Sequence, residues 1–265
     1  MFRPFALTAL ATTLMVSACA PSSGAGSAVG GATPPPAPRT VRELITRMQG
    51  HYAGRWYNTL AFTQDNVSYT SAGESRSTWF ERQMVPRRLR IDFTAPVADG
   101  SGTLFRNDSA YTFQNGRLAQ SAPRLHPLLL LSADAYALHA DTVMSALATL
   151  AIDTTTLRSD SWEGRRVWVA GAAAGDSTSN QFWVDAERWV LLRLLDSQQS
   201  ASRTIRTDYH FSYQTVDGFL VPHEIVFIRD GKPYWHETYV DVEVNPSLPD
   251  SIFLPANWSQ GVPTG

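Results

Sequence analysis

From Leu60 onward the chain returns repeatedly to one pattern: short runs in which apolar and polar residues alternate, each closed by a turn dipeptide. In RRLRIDF, Leu89, Ile91 and Phe93 face one way while Arg88, Arg90 and Asp92 face the other, the period-2 signature of a sheet wet on one side. LAFTQ, STWFER, GTLFRN and SAYTF repeat it, the last ending on Asn115-Gly116, a type I′ hairpin signal. After residue 160 come RRVWVAGA, NQFWVDAERWVLLRLLD, SRTIRTDYHFSYQ and a long run from Phe219 to Val244, with breaks at Gly175-Asp176, Asp217-Gly218 and Asp230-Gly231. The total is about ten to eleven strands in an antiparallel meander. Eight Trp, nine Tyr and twelve Phe against 17% charged residues suit half-buried pleated surfaces and demand somewhere to bury them.

Two segments break the pattern. Thr40-Val41-Arg42-Glu43 is a capping box, followed by Val41, Leu44, Ile45, Met48 and Tyr52 on one helical stripe that Gly50 or Gly54 can end. The stretch HPLLLLSADAYALHADTVMSALATLAIDT predicts two short helices, Pro127 to Ala137 and Asp141 to Leu150, with Asp141 as N-cap. Its Leu128–Leu131 run is apolar nearly all round, so it must be covered on more than one side or cover something apolar itself. The expected fold class is therefore α+β and mostly antiparallel β: a curved incomplete barrel with an N-terminal helix and two mid-chain lid helices. No repeat and no composition shift divides residues 40–265, which read as one domain.

Residues 1–18 read as a leader, with Arg3 near the start, an apolar run from Pro4 to Val16, and small residues before Cys19. Cys19 is the only cysteine, so neither an internal disulfide nor a zinc cluster of cysteines is available to it. Residues 19–39 read as a flexible tether: Ala20 to Pro38 is mostly Gly, Ser, Ala and Pro with no charge and no aromatic residue, and these nineteen residues reach at most about 60 Å at ~3.1 Å each.

The formal charge of −2 argues against a nucleic-acid partner held by bulk electrostatics. The sequence contains no G-x-S-x-G, glycine-rich phosphate loop or H-E-x-x-H. In His236-Glu237 and His223-Glu224, neighbours in a strand point to opposite faces, so neither pair forms a metal site alone. Asp134, His139 and Asp141 read as caps and loop groups rather than an acid–base set. No catalytic residue, metal or cofactor is expected. What remains is a cavity on the concave face, for which the lining candidates are Leu60, Phe62, Trp79, Leu89, Ile91, Phe93, Phe113, Leu128, Leu131, Phe182 and Val184.

Val16-Ser17-Ala18-Cys19 resembles the bacterial lipobox, which implies lipid attachment at Cys19. The helix leading into WYNTLAFTQ, the RRLRIDF strand, the mid-chain helices, NQFWVDAERWVLLRLL, DGFLVPHEI and NPSLPDSIFLP together resemble the bacterial lipoprotein-localisation (LolA/LolB-like) superfamily over residues 40–255. That resemblance implies a helix-capped half-barrel holding acyl chains, with an acyl-chain or lipoprotein ligand and a role in transport to the outer membrane. An anchored protein resembles the receptor member, and Ala20 in place of an Asp implies the outer membrane, facing the periplasm. A monomer is expected. The alternative is a non-catalytic envelope interaction or scaffold lipoprotein whose barrel is filled by its own side chains.

Overall fold

Thr40 Oγ1 accepts the backbone N–H of Glu43 at 3.1 Å, while the Glu43 carboxylate reaches back past the cap to accept the N–H of Arg39 at 2.7 Å. Helix α1 (Val41–Tyr52) follows, with Val41, Leu44, Ile45 and Met48 fully buried. The structure, a computed structural model, describes residues 36–199 and 203–261. The expected leader (1–18), Cys19 and all but the last few residues of the tether lie outside them.

The strands are β1 (Thr59–Thr70), β2 (Gly73–Met84), β3 (Arg88–Asp92), β4 (Gly102–Arg106), β5 (Ser109–Gln114), β6 (Arg117–Pro123), β7 (Asp153–Trp162), β8 (Arg165–Gly171), β9 (Gln181–Asp185), β10 (Leu191–Gln199), β11 (Thr204–Val216), β12 (Phe219–Arg229) and β13 (Lys232–Val244). They form one antiparallel sheet in the order β6-β5-β4-β3-β2-β1-β13-β12-β11-β10-β9-β8-β7. Every neighbour is a sequence neighbour except β1 and β13, which join the two ends of the meander in the middle. Both residues of Asn115-Gly116, Asp217-Gly218 and Asp230-Gly231 have positive φ, as type I′ hairpins require. The sheet is open, with β6 and β7 as its edges.

Thirteen strands exceed the expected ten to eleven, and the two unforeseen ones are these edges. Every residue of β6 is exposed and β7 is largely Thr, Asp, Ser and Arg, so neither shows apolar alternation.

The chain must pass from the β6 edge to the β7 edge, and it does so across one face of the sheet through α2 (Pro127–Ser132), a 3-10 turn (Asp134–Tyr136) and α3 (Ala140–Thr149). The first predicted helix does not run on to Ala137: it breaks at Ala133, whose φ and ψ are −139° and −59°. Gln49 of α1 takes up carbonyls around this break, donating to Ala135 and Leu138, both at 2.8 Å. Asp141 is not the cap of α3. His139 is, accepting the Asp141 N–H at 3.3 Å, and Asp141 lies in the first turn and pairs with Arg42.

Two bodies of apolar packing lie on the helix-covered face. Under α1 and α3, Leu44, Ile45, Met48, Val143 and Leu147 meet Phe182, Val184, Leu191 and Leu194 of the sheet. Under α2, Leu129 and Ala133 meet Leu60, Leu89, Ile91 and Phe105.

The other face is not wet at β3. Arg90 and Asp92, expected outside, are 0% and 1% exposed. Two C-terminal 3-10 segments, Asp250–Phe253 and Pro255–Gln260, roof them. Trp258 stacks on Phe113 at 4.3 Å, lies 4.1 Å from the Arg90 guanidinium and donates its indole N–H to Gly100 O at 3.0 Å. Arg90 binds Asp92 through two nitrogens at 2.9 Å. Burial of an ion pair is tolerable in such geometry because the charges satisfy each other. Gly102 permits the close approach: a Cβ there would sit 2.1 Å from Ile91 O and 2.7 Å from the Trp258 ring.

Candidate functional site

Antiparallel pairing aligns side chains across strands, and on the helix-covered face β1, β2, β3, β12 and β13 bring an apolar rim around a polar floor. Phe62 opposes Glu81, which opposes Ile91; Asn66 opposes Glu237, which opposes Ile225; Gln64 opposes Tyr239. With α2 as roof these residues enclose a cleft of about 300 Å³, at the lower end of ligand-sized pockets. Its apolar wall includes Phe62, Trp79, Leu89, Ile91, Phe93, Phe105, Leu128, Leu129, Ile225 and Phe227. Rings pack against one another along it: Phe62 on Tyr239 at 4.2 Å, Trp79 on Phe93 at 4.7 Å and Trp79 on Trp235 at 5.3 Å.

The structure brings Phe62, Trp79, Leu89, Ile91, Phe93 and Leu128 together around the cleft, and places the remaining sequence candidates elsewhere. Leu60 is buried beside it in the α2 cluster. Leu131, Phe182 and Val184 are core beneath α1 and α3. Phe113 is a correction of face: Ala110 and Thr112 of β5 line the cleft, so Phe113 is turned the other way, under Trp258. Alternation groups residues by face but does not say which face the helices cover.

The floor was not foreseen. Glu81 and Glu237 are 4% and 8% exposed, Gln64 and Gln83 are 1% and 7%, and all four line the cleft. Gln64 donates to Asn66 Oδ1 at 2.7 Å, and the Trp235 indole donates to Glu237 Oε1 at 3.1 Å. Burial pushes the Glu237 carboxyl up to about 8, against the opposing pull of its hydrogen bonds. Burial, and then the nearby Glu237 charge, raise Glu81 well above the usual carboxyl range. No hydrogen bond from the described residues acts on the Glu81 carboxyl, and Gln83 Nε2 is buried without a partner. A signal for the pair was present as a repeat, Trp79-Phe80-Glu81 and Trp235-His236-Glu237: an acid two residues after a Trp shares its face.

At the rim, His126 caps α2 by accepting the Leu129 N–H at 3.1 Å and meets Phe105 edge-on at 4.5 Å. Burial, then the neighbouring Arg124, lower its pKa to about 4. The acid–base set does not converge: Asp134 accepts the Arg87 N–H at 3.0 Å, while His139 and Asp141 stand together on the surface at the start of α3. His236 faces away from Glu237, lying 3.6 Å from Glu224. Among the described residues no three His, Cys, Asp or Glu side chains group as metal ligands, and no helix is long and apolar enough to cross a membrane.

An open antiparallel sheet roofed by helices, with a cleft between, is also the architecture of several solved structures. A LolA superfamily protein from Nitrosomonas europaea is 15% identical with a TM-score of 0.50, the match covering 81% of this chain and 97% of that one. The fold is LolA-like. A domain described as an outer membrane lipoprotein-sorting protein, from Vibrio parahaemolyticus, is 11% identical with a TM-score of 0.54, covering 82% and 97%. A DUF1329 family protein from Desulfovibrio piger is 12% identical with a TM-score of 0.56, again covering 82% and 97%. No protein-family model and no curated protein sequence matches the chain. At these identities the likeness is one of LolA-like fold.

Proposed function

We propose that the protein is an envelope lipoprotein, anchored through Cys19, that holds a lipid or acyl chain in the cleft under α2. The observation carrying this is the apolar, aromatic wall of the cleft inside a LolA-like fold. A self-filled barrel describes the half beneath α1 and α3, where a cluster of buried side chains joins the helices to the sheet. The α2 half is different, because there the roof leaves open volume. That volume suits one alkyl chain better than the several chains of a mature lipoprotein, which favours a lipid carrier or sensor over a lipoprotein acceptor.

Anchoring rests on the lipobox-like Val16-Ser17-Ala18-Cys19 and the charge-poor tether after it. On this reading the protein sits at the outer membrane and faces the periplasm.

Two measurements test the proposal. Organic extracts of full-length protein purified from a bacterial envelope should contain lipid at near-stoichiometric amounts by mass spectrometry, and the protein should take up a fluorescent fatty acid. An empty preparation that also takes up none refutes the cleft reading. Cys19→Ala should move the protein from the detergent phase to the aqueous phase, and no change on that substitution refutes the anchor.

A further inference from the structure

A wholly apolar chain would satisfy the wall of the cleft and leave its floor unmet. Glu81 is almost completely removed from water, lines the cleft and has no donor among the described residues, and the amide nitrogen of Gln83 is similarly unpartnered. Glu237 lies across the floor, held by the Trp235 indole. Buried polar groups are normally paired, and an unpaired one often marks where a partner binds.

We propose that the cleft selects amphiphiles carrying an amine, seating the ammonium group between Glu81 and Glu237 with the alkyl chain running under α2. Deepening the ligand-binding reading above, this inference rests on it. An ammonium supplies three donors, and hydrogen bonds from a cation to a carboxylate are the strong kind. The rings of Phe62, Trp79 and Tyr239 close to the floor add faces that attract a cation. The titratable groups facing this spot are Glu81 from β2, Glu237 and Tyr239 from β13 and Tyr209 from β11. Arg124, a cation of the cleft lining, and His126, whose burial disfavours its charged form, come from the segment entering α2, and neither is among the charges acting on the two carboxyls. The floor is thus acidic and the opposite rim basic. A fatty acid could place its carboxylate at Arg124, but its tail would then lie on the acids.

Binding by an ammonium should also move protons. Burial favours the neutral form of the floor carboxyls, so pairing one with a cation ionises it and releases its proton to solvent, with charge balanced in the site.

The test is calorimetric titration of full-length protein, stripped of lipid, with decylamine, decanol and decanoate at pH 7, in two buffers of different ionisation enthalpy. Decylamine should bind at least about tenfold more tightly than decanol, with release of about one proton that decanol does not cause. Glu81→Gln should erase the amine preference, so that decylamine binds no more tightly than decanol to the same variant, and should erase the proton release. Glu237→Gln, an independent variant, should weaken both in the same direction. If the three probes bind alike, or decanoate binds best, the amine inference fails and the lipid-binding reading stands. If none binds, both fail.

Discussion

The floor acids make a quantitative prediction about folding that needs no ligand. Glu237 has a folded pKa of about 8 against a reference of 4.5, with burial as the largest cause. A carboxyl whose pKa is higher folded than unfolded binds more protons in the native state. Its penalty is therefore absent below pH 4.5 and grows as pH rises toward 8. Linkage from these two values gives a loss of about 3 to 4 kcal/mol between about pH 5 and pH 8. Glu237→Gln keeps the shape and removes the titration. Urea unfolding followed by tryptophan fluorescence, at half-unit pH steps, should show the variant's advantage over the parent growing by that amount across the interval. Asp134 and His126 titrate in both proteins and cancel in the difference. Glu81 does not cancel, because losing the Glu237 charge lets its pKa fall, but this pushes the difference in the same direction. A difference constant to within about 1 kcal/mol from pH 5 to pH 8 would refute the claim that this carboxyl is buried without a compensating cation.

Three further perturbations address other parts of the structure. Trp258→Ala removes the roof over the Arg90–Asp92 pair and should cost about 3 to 5 kcal/mol in urea unfolding; a loss under 1 kcal/mol would mean the C-terminal segment does not hold that face. Ala110→Phe, on the cleft wall, should abolish uptake of a fluorescent fatty acid while shifting the unfolding midpoint little, and retained uptake would move the ligand out of this cleft. His126 has a pKa lower folded than unfolded, so the native state binds fewer protons and stability should fall as pH drops from 6.5 through about 4. His126→Asn keeps an N-cap acceptor and should flatten that acid limb; an unchanged limb would assign it to other groups.

The strands that bury apolar side chains were readable from those side chains, in alternation as in the first half of β1 or in a nearly continuous run as in β9. The edges β6 and β7 were not, because an edge strand gains solubility from polar residues on both faces and so loses the period that identifies it. Helix α1 announced itself through its cap and stripe, whereas the segment beyond the stop at Ala133 is held by Gln49, distant in sequence, donating to the Ala135 and Leu138 carbonyls. The same distinction holds in the cleft. Phe62, Leu89, Ile91 and Phe93 follow from alternation, but which face of β5 looks inward is decided by Trp258, far along the chain. Glu81 and Glu237 were hidden by the habit of assigning acids to solvent, although each follows a Trp at the spacing that puts both on one face.

The topology explains why cleft and core share one face. Because β1 and β13 pair in the centre, the chain's midpoint falls at the two edges, the most distant strands of the sheet. Any connection between them must cross a whole face, and a helical crossover satisfies its own backbone hydrogen bonds while doing so. Its second half, α3, packs with α1 into the sheet and fills it; its first half, α2, adds Leu130 and Leu131 to that cluster but turns Leu128 and Leu129 over an opening. The cleft thus lies under the side of α2 that carries Leu128 and Leu129, beside the part of the face that α1 and α3 fill together. Substitution of Leu128, which lines the cleft and is only partly buried, should therefore alter ligand uptake before it alters global stability, whereas substitution of Leu130 or Leu131, which tie α2 into the larger cluster, should lower both together.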